Sequence, residues 1–181
     1  MPYPSNDQRP AEPPPFGPEG DILLGFLERQ RATFAWKVGG LNATELQRTL
    51  GPSTITLGGM IKHLTRFEDD MASEWLQGGE QLAPWNRIDW EAEHDWDWTS
   101  AAGDDAAMLY SNWESAVIRS RAAFETAMTD GGPGRHANEQ TPSLRYIVIN
   151  MIEEYARHNG QADLIRESID GLVGQDPPAA D

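Results

Sequence analysis

The sequence predicts an all-α fold, a four-helix bundle with a long tryptophan-rich loop between its second and third long helices. Three observations carry that reading. Four segments place apolar residues at helical spacing, no segment alternates as a half-buried strand does, and no stretch repeats at a fixed period. A chain of 181 residues suits one sizeable core, so a single domain is expected.

Residues 1–20, "MPYPSNDQRPAEPPPFGPEG", are expected to form an extended arm, because each proline fixes its φ angle and removes a backbone donor. The bundle is expected over 21–171 and a short tail over 172–181. From Asp21, the residues Ile22, Leu23, Phe26, Leu27, Thr33 and Trp36 recur on one face up to the "VGGLN" break, which defines helix one. Asn42 then caps a short helical connector, "ATELQRTL", with Glu45 placed to complete a capping box. Leu57, Met60, Ile61, Leu64, Phe67, Met71 and Trp75 mark helix two, stopped by Gly78 and Gly79. Gly58 and Gly59 near its start each weaken it by about 1 kcal/mol relative to alanine, or else permit the close approach of a neighbouring helix.

The stretch "APWNRIDWEAEHDWDWTSAAGDD" sets four of the seven tryptophans among carboxylates with little helical period, so it reads as a loop. Either Trp85, Trp90, Trp96 and Trp98 cap the end of the bundle, or the loop forms the wall of a pocket. Helix three runs over Ala106–Met128 with Leu109, Trp113, Ala116, Val117, Ala123 and Phe124 inward. Thr141 as N-cap and Pro142 in the first turn open helix four, which carries Leu144, Ile147, Val148, Met151, Tyr155, Ala162, Ile165 and Ile169 to Gly171.

Charge narrows the functions. Fourteen Lys and Arg face 29 Asp and Glu, a net of −15, so the overall field repels phosphate backbones and anionic lipid, and no nucleic-acid or membrane partner is expected. The absence of cysteine excludes disulfides, thiolate clusters and a cysteine nucleophile, so any thiol chemistry must use a thiol from elsewhere. No leader pattern and no long apolar run is present, and a cytoplasmic location is expected.

Within the stripe of helix four lies His158, with Glu154 on its flank one turn earlier; on helix two, His63 sits at the stripe's edge between Met60 and Phe67. Residues four apart project from adjacent turns of one face, close enough to bind one cation, and a histidine from a facing helix completes a set of three. Two histidines and a glutamate suit Zn²⁺ best, with Ni²⁺, Fe²⁺, Mn²⁺ or Co²⁺ as alternatives, and leave a position open. An ordinary half-buried ion pair is the plainer reading of Glu154 and His158. His94 and His136 lie in loops and are expected to be solvated, as are the acidic runs "FEDD" and "EAEHDWD". No catalytic serine triad, phosphate loop or dinucleotide fingerprint is present.

"TLGGMIKHLTRFEDDMASEWLQG", "PWNRIDWEAEHDWDW" and above all "PSLRYIVINMIEEYARHNGQADLIRESIDG" resemble the DinB-like superfamily, in its actinobacterial branch, over about Asp21 to Gly171. The resemblance implies an up-down-down-up four-helix bundle that binds a divalent metal through His63, Glu154 and His158. Many relatives have histidine where Glu154 stands. Glutamate there is similar to the metal-binding domain of mycothiol-dependent maleylpyruvate isomerase, although Asn150 and Gln161 stand where relatives often carry histidine, and isomerase activity itself, which draws on a second domain, is not carried over.

The resemblance therefore implies an S-transferase or detoxification enzyme that uses a low-molecular-weight thiol such as mycothiol and a small-molecule electrophile, with a metal-activated thiolate as the reactive group. Two alternatives remain. One is a non-catalytic, stress-associated binding bundle with a structural metal, working as a homodimer through exposed apolar helix surface. The other is a metal-dependent hydrolase, for which the sequence nominates no general base.

Overall fold

Six α-helices and no strand make up the described residues 11–177 of the computed structural model: α1 Glu19–Val38, α2 Ala43–Leu46, α3 Leu57–Asp70, α4 Trp96–Thr99, α5 Ala106–Gly131 and α6 Leu144–Asp170. The four long ones correspond to the helices predicted from spacing. Most of the ends follow local chemistry. Asn42 accepts from the backbone of Thr44 and Glu45 while the Glu45 carboxylate accepts from Asn42 N, the expected capping box. The Asp105 carboxylate caps α5, and Gly171, at φ 77°, ends α6.

Several details differ from the sequence reading. Ser143, not Thr141, caps α6, because its hydroxyl reaches Tyr146 N while Thr141 closes a turn with Asn138. The last turns of helix two, Met71–Leu76, widen into a π-helix before Gly78. Phe26 is 48% exposed although it lies on the predicted stripe, whereas Arg31 and Lys37 of α1 are buried. The first ten residues of the predicted arm and the last four of the tail lie outside the described residues. Where described, both lie on α1: Pro14 packs on Gly25, and Gly174 O accepts from the indole of Trp36.

Cross-helix contacts fix the helix directions. Glu19, Gln30 and Lys37 of α1 meet Arg145, Asn159 and Asp163 of α6 in ascending order, so the two helices run parallel. Along α3, Lys62 meets Asp104 at the entry to α5 and Asp69 meets Arg119 within it, another parallel pair. Between α3 and α6 the order reverses: His63 meets the His158 ring, Glu68 reaches Tyr155, and Trp75 stacks on Tyr146. The order is up, down, down, up.

A parallel α3 and α5 require a crossover along the whole helix, roughly 30 Å at ~1.5 Å per residue. Residues 77–105 supply it as a strap laid back along α3. Gln81 donates to Asp70, Trp85 to Asp69, Trp90 lies under Arg66, Trp96 under Lys62, and Trp98 stacks on His63. The four tryptophans therefore line the side of the bundle and do not cap its end. Gly59 permits the contact, since a Cβ there would lie 3.1–3.2 Å from the ring and carbonyl of Trp98. Gly58 does the same for α2, against Leu46 and Gln47.

The acidic run "FEDD" is not a solvated face. Glu68, Asp69 and Asp70 are all buried. Glu68 accepts from Arg31 Nε at 2.7 Å, from Tyr155 Oη at 2.7 Å and from Ser120, while Trp113 Nε1 donates to Tyr155 Oη at 2.9 Å. Burial is tolerated because each charge meets its opposite and each lone pair a donor. Burial and the neighbouring Glu68 push the Tyr155 hydroxyl well above its ordinary pKa, so it stays a donor.

Candidate metal centre

Just above this network, α3 and α6 bring three predicted residues together. Helical periodicity places Glu154 and His158 on adjacent turns of α6, and the antiparallel α3 turns His63 toward them. Both imidazoles point Nε2 at the same carboxylate oxygen, Glu154 Oε1, each at 3.0 Å. One ligand-type atom from each residue lies within 4.8 Å of the other two. His158 is buried, and His63 and Glu154 are partly so.

The outer nitrogens decide the tautomers. His63 Nδ1 lies 2.9 Å from Asp97 Oδ2, and His158 Nδ1 lies 2.8 Å from Gln161 Oε1. Each of these oxygens is an acceptor, so each Nδ1 donates outward and each Nε2 faces inward, where a protonated ring donates to Glu154 and a neutral one can offer its lone pair to a cation. A metal-binding histidine has this arrangement, with the second ring nitrogen donating to a carboxylate or carbonyl. A donor set of two inward Nε2 atoms and one carboxylate oxygen, tied from behind, fits a borderline divalent cation.

The electrostatics of the chain alone agree. Hydrogen bonds from His158 and then His63 hold the Glu154 carboxyl well below the usual carboxylate range. Burial by itself would lower the His63 imidazole, but its hydrogen bonds to Asp97 and Glu154 outweigh that and raise it. Burial opposes ionisation of Asp97, and His63 and Arg66 reverse the effect and lower its pKa. The cluster favours positive charge at its centre.

Trp98 covers both rings, with centroids 4.5 Å from His63 at 24° and 5.2 Å from His158 at 55°. Two clefts that share no residue meet the cluster. One, of about 660 Å³, includes His63 with Phe67, Trp75 and Trp90; the other, of about 460 Å³, includes His158 with Gln47, Thr56, Arg157 and Gln161. A cavity of about 680 Å³ between strap, α3 and α5 contains none of the three residues and is separate from this centre.

His94 and His136 are exposed, as loop histidines were expected to be. Asp97 was missed: it stands in the run "EAEHDWD" read as solvated, yet it is 1% exposed. The "WDW" alternation around it was the available signal, since an acid between two packed tryptophans on a single turn of α4 has little access to water. Gln161 holds His158 from behind.

Among curated proteins, none matches the chain significantly. Residues 22–171, spanning all four long helices and all three residues of the centre, match the family described as Mycothiol-S-transferase, a DinB-like family, and the chain belongs to it.

Proposed function

We propose that the chain is a metal-dependent S-transferase that joins a low-molecular-weight thiol, with mycothiol as the first candidate, to a small-molecule electrophile. The observation that carries this reading is the convergence of His63 Nε2, His158 Nε2 and Glu154 Oε1, with both Nδ1 atoms anchored from behind. These three residues would hold the cation, with Zn²⁺ preferred for two nitrogens and one oxygen. Held there, a cation would lower the pKa of a thiol; in the transfer the thiol sulfur forms a bond to the electrophilic carbon, the leaving group departs with its electron pair, and the thiol proton passes to solvent.

The chain's own residues do the rest. Asp97 and Gln161 fix the imidazole tautomers. Trp98 shields both rings from water on one face. Three protein ligands, with no fourth His, Asp or Glu joining them among the described residues, favour a centre open to substrate over a closed structural one. The separate clefts at His63 and His158 give two substrates separate approaches. Among the described residues, no helix is long and apolar enough to cross a membrane.

The test is to load the purified protein with zinc, measure metal per chain, and follow mycothiol consumption with a panel of electrophiles before and after chelation, beside His158→Ala. Near-stoichiometric metal and metal-dependent thiol consumption, both lost in the variant, are expected. Equal metal in the variant, or no metal-dependent consumption across the panel, would overturn the reading.

A further inference from the structure

The two clefts at the centre differ in chemistry, and that difference bears on what the enzyme acts on. The cleft at His158 is walled by hydrogen-bonding groups, among them Gln47, Thr54, Thr56 and Thr99, with Arg157 and Asp95 opposed in charge. The cleft at His63 has three aromatic walls, Phe67, Trp75 and Trp90, and three carboxylates, Asp70, Glu74 and Glu80. Besides His63, which is tied to Asp97 and Glu154, its one basic side chain among the described residues is Arg66, and that charge is already matched. The guanidinium stacks on Trp90 at 3.6 Å, donates to Asp70 at 3.1 Å and lies 3.4 Å from Asp97. Glu74 and Glu80 are exposed at the cleft, with no basic group at ion-pair distance among the described residues. Burial pushes the Asp70 carboxyl up, against the opposing effect of Gln81 and Arg66.

Aromatic faces beside unmatched carboxylates bind organic cations and repel anions, because the ring quadrupole and the carboxylates act in the same sense. The geometry points to the His63 cleft as the electrophile's site, selecting molecules whose non-reacting end is apolar and positively charged. The polar cleft at His158 then takes the carrier of the thiol. This assignment rests on the S-transferase reading for the word electrophile, but charge selection by the cleft is measurable without any thiol.

The experiment uses the full zinc-loaded chain and two unreactive probes, benzyltrimethylammonium and benzenesulfonate, titrated calorimetrically at low and at physiological salt. The expected result is that the cation binds about ten-fold or more tightly than the anion at low salt. The pair Glu74→Gln/Glu80→Gln should remove most of that preference, while Glu125→Gln/Glu139→Gln, an equal charge change on exposed positions outside this cleft, should leave it in place. Equal affinities, a preference for the anion, or equal loss in both double variants would overturn the proposal. The last outcome would assign the preference to the overall charge of −15 and not to the cleft. Loss of metal-dependent thiol consumption with retained cation selection would instead overturn the S-transferase reading alone.

Discussion

Two polar clusters are buried between α3 and α6 about one turn apart, and they are completed in different ways. Around Glu68, the chain supplies everything: Arg31 provides the opposite charge, and Ser120 and Tyr155 fill the remaining lone pairs. Around Glu154, two imidazoles point at one carboxylate oxygen and are held from behind by Asp97 and Gln161. The first cluster contains its own cation. The second brings three ligand-type atoms within 4.8 Å of one another, where we propose that a cation binds. A closed buried ion pair fixes how helices pack, whereas convergent ligand-type atoms anchored from behind suit a ligand site.

Removing Glu68 should break the closed cluster with the largest effect on stability. Glu68→Ala leaves the buried Arg31 guanidinium with only the partly exposed Glu28 and Ser120 as partners, and a loss of about 3 kcal/mol in unfolding free energy is expected from denaturant titration. Metal content per folded chain should be unchanged. His158→Ala should do the reverse: bound metal falls from near one per chain to near zero by elemental analysis, while the variant and the chelated wild type unfold within about 1–2 kcal/mol of each other. If both substitutions moved the same quantity, the distinction between the clusters would collapse.

Smaller changes sharpen it. Asp97→Ala should weaken metal affinity by about 10–100-fold in competition with a chromophoric chelator, because His63 loses the partner that fixes its tautomer. Gly59→Ala places a methyl against Trp98 and should cost about 1–3 kcal/mol, with the strap between 77 and 105 exchanging its amide protons faster.

The pH dependence of the chelated protein is the smallest effect. Glu154 has a folded pKa below its ordinary 4.5, so its contribution to stability is present above that pH and lost as pH falls through the folded value. His63 has a folded pKa above its ordinary 6.5, so its contribution is complete below that pH and lost as pH rises through the folded value. Thermal melts of chelated wild type should therefore exceed those of His63→Ala by the most between about pH 4.5 and 6.5. A flat difference would show that the cluster is not charged as described.

Much of this was legible in the residues. The four long helices, the Asn42 capping box and the Gly171 stop follow from spacing and local hydrogen bonding, which act within a few residues. The spacing of Glu154 and His158 determined that they share a face, and the edge position of His63 determined that it could join them. Misreadings occurred where a side chain's fate depends on a distant element. Arg31 and Glu68 each look like surface charges until they meet across 37 residues. Phe26 looks like core, yet the partners of α1 lie on another side. Asp97 looks like part of a solvated acidic loop until the strap lays it on His63.

The sequence by itself thus determined the helices, their apolar faces and the three ligand-type residues, because the 3.6-residue period relates neighbours along one helix. Only the tertiary structure decided that the tryptophan segment returns along α3, that "FEDD" is buried, and that Asp97 and Gln161 stand behind the two imidazoles. Those outcomes depend on helix direction and on the path of the crossover. A pattern of apolar residues along the chain does not encode either one, since the same stripe packs equally well against a parallel or an antiparallel neighbour.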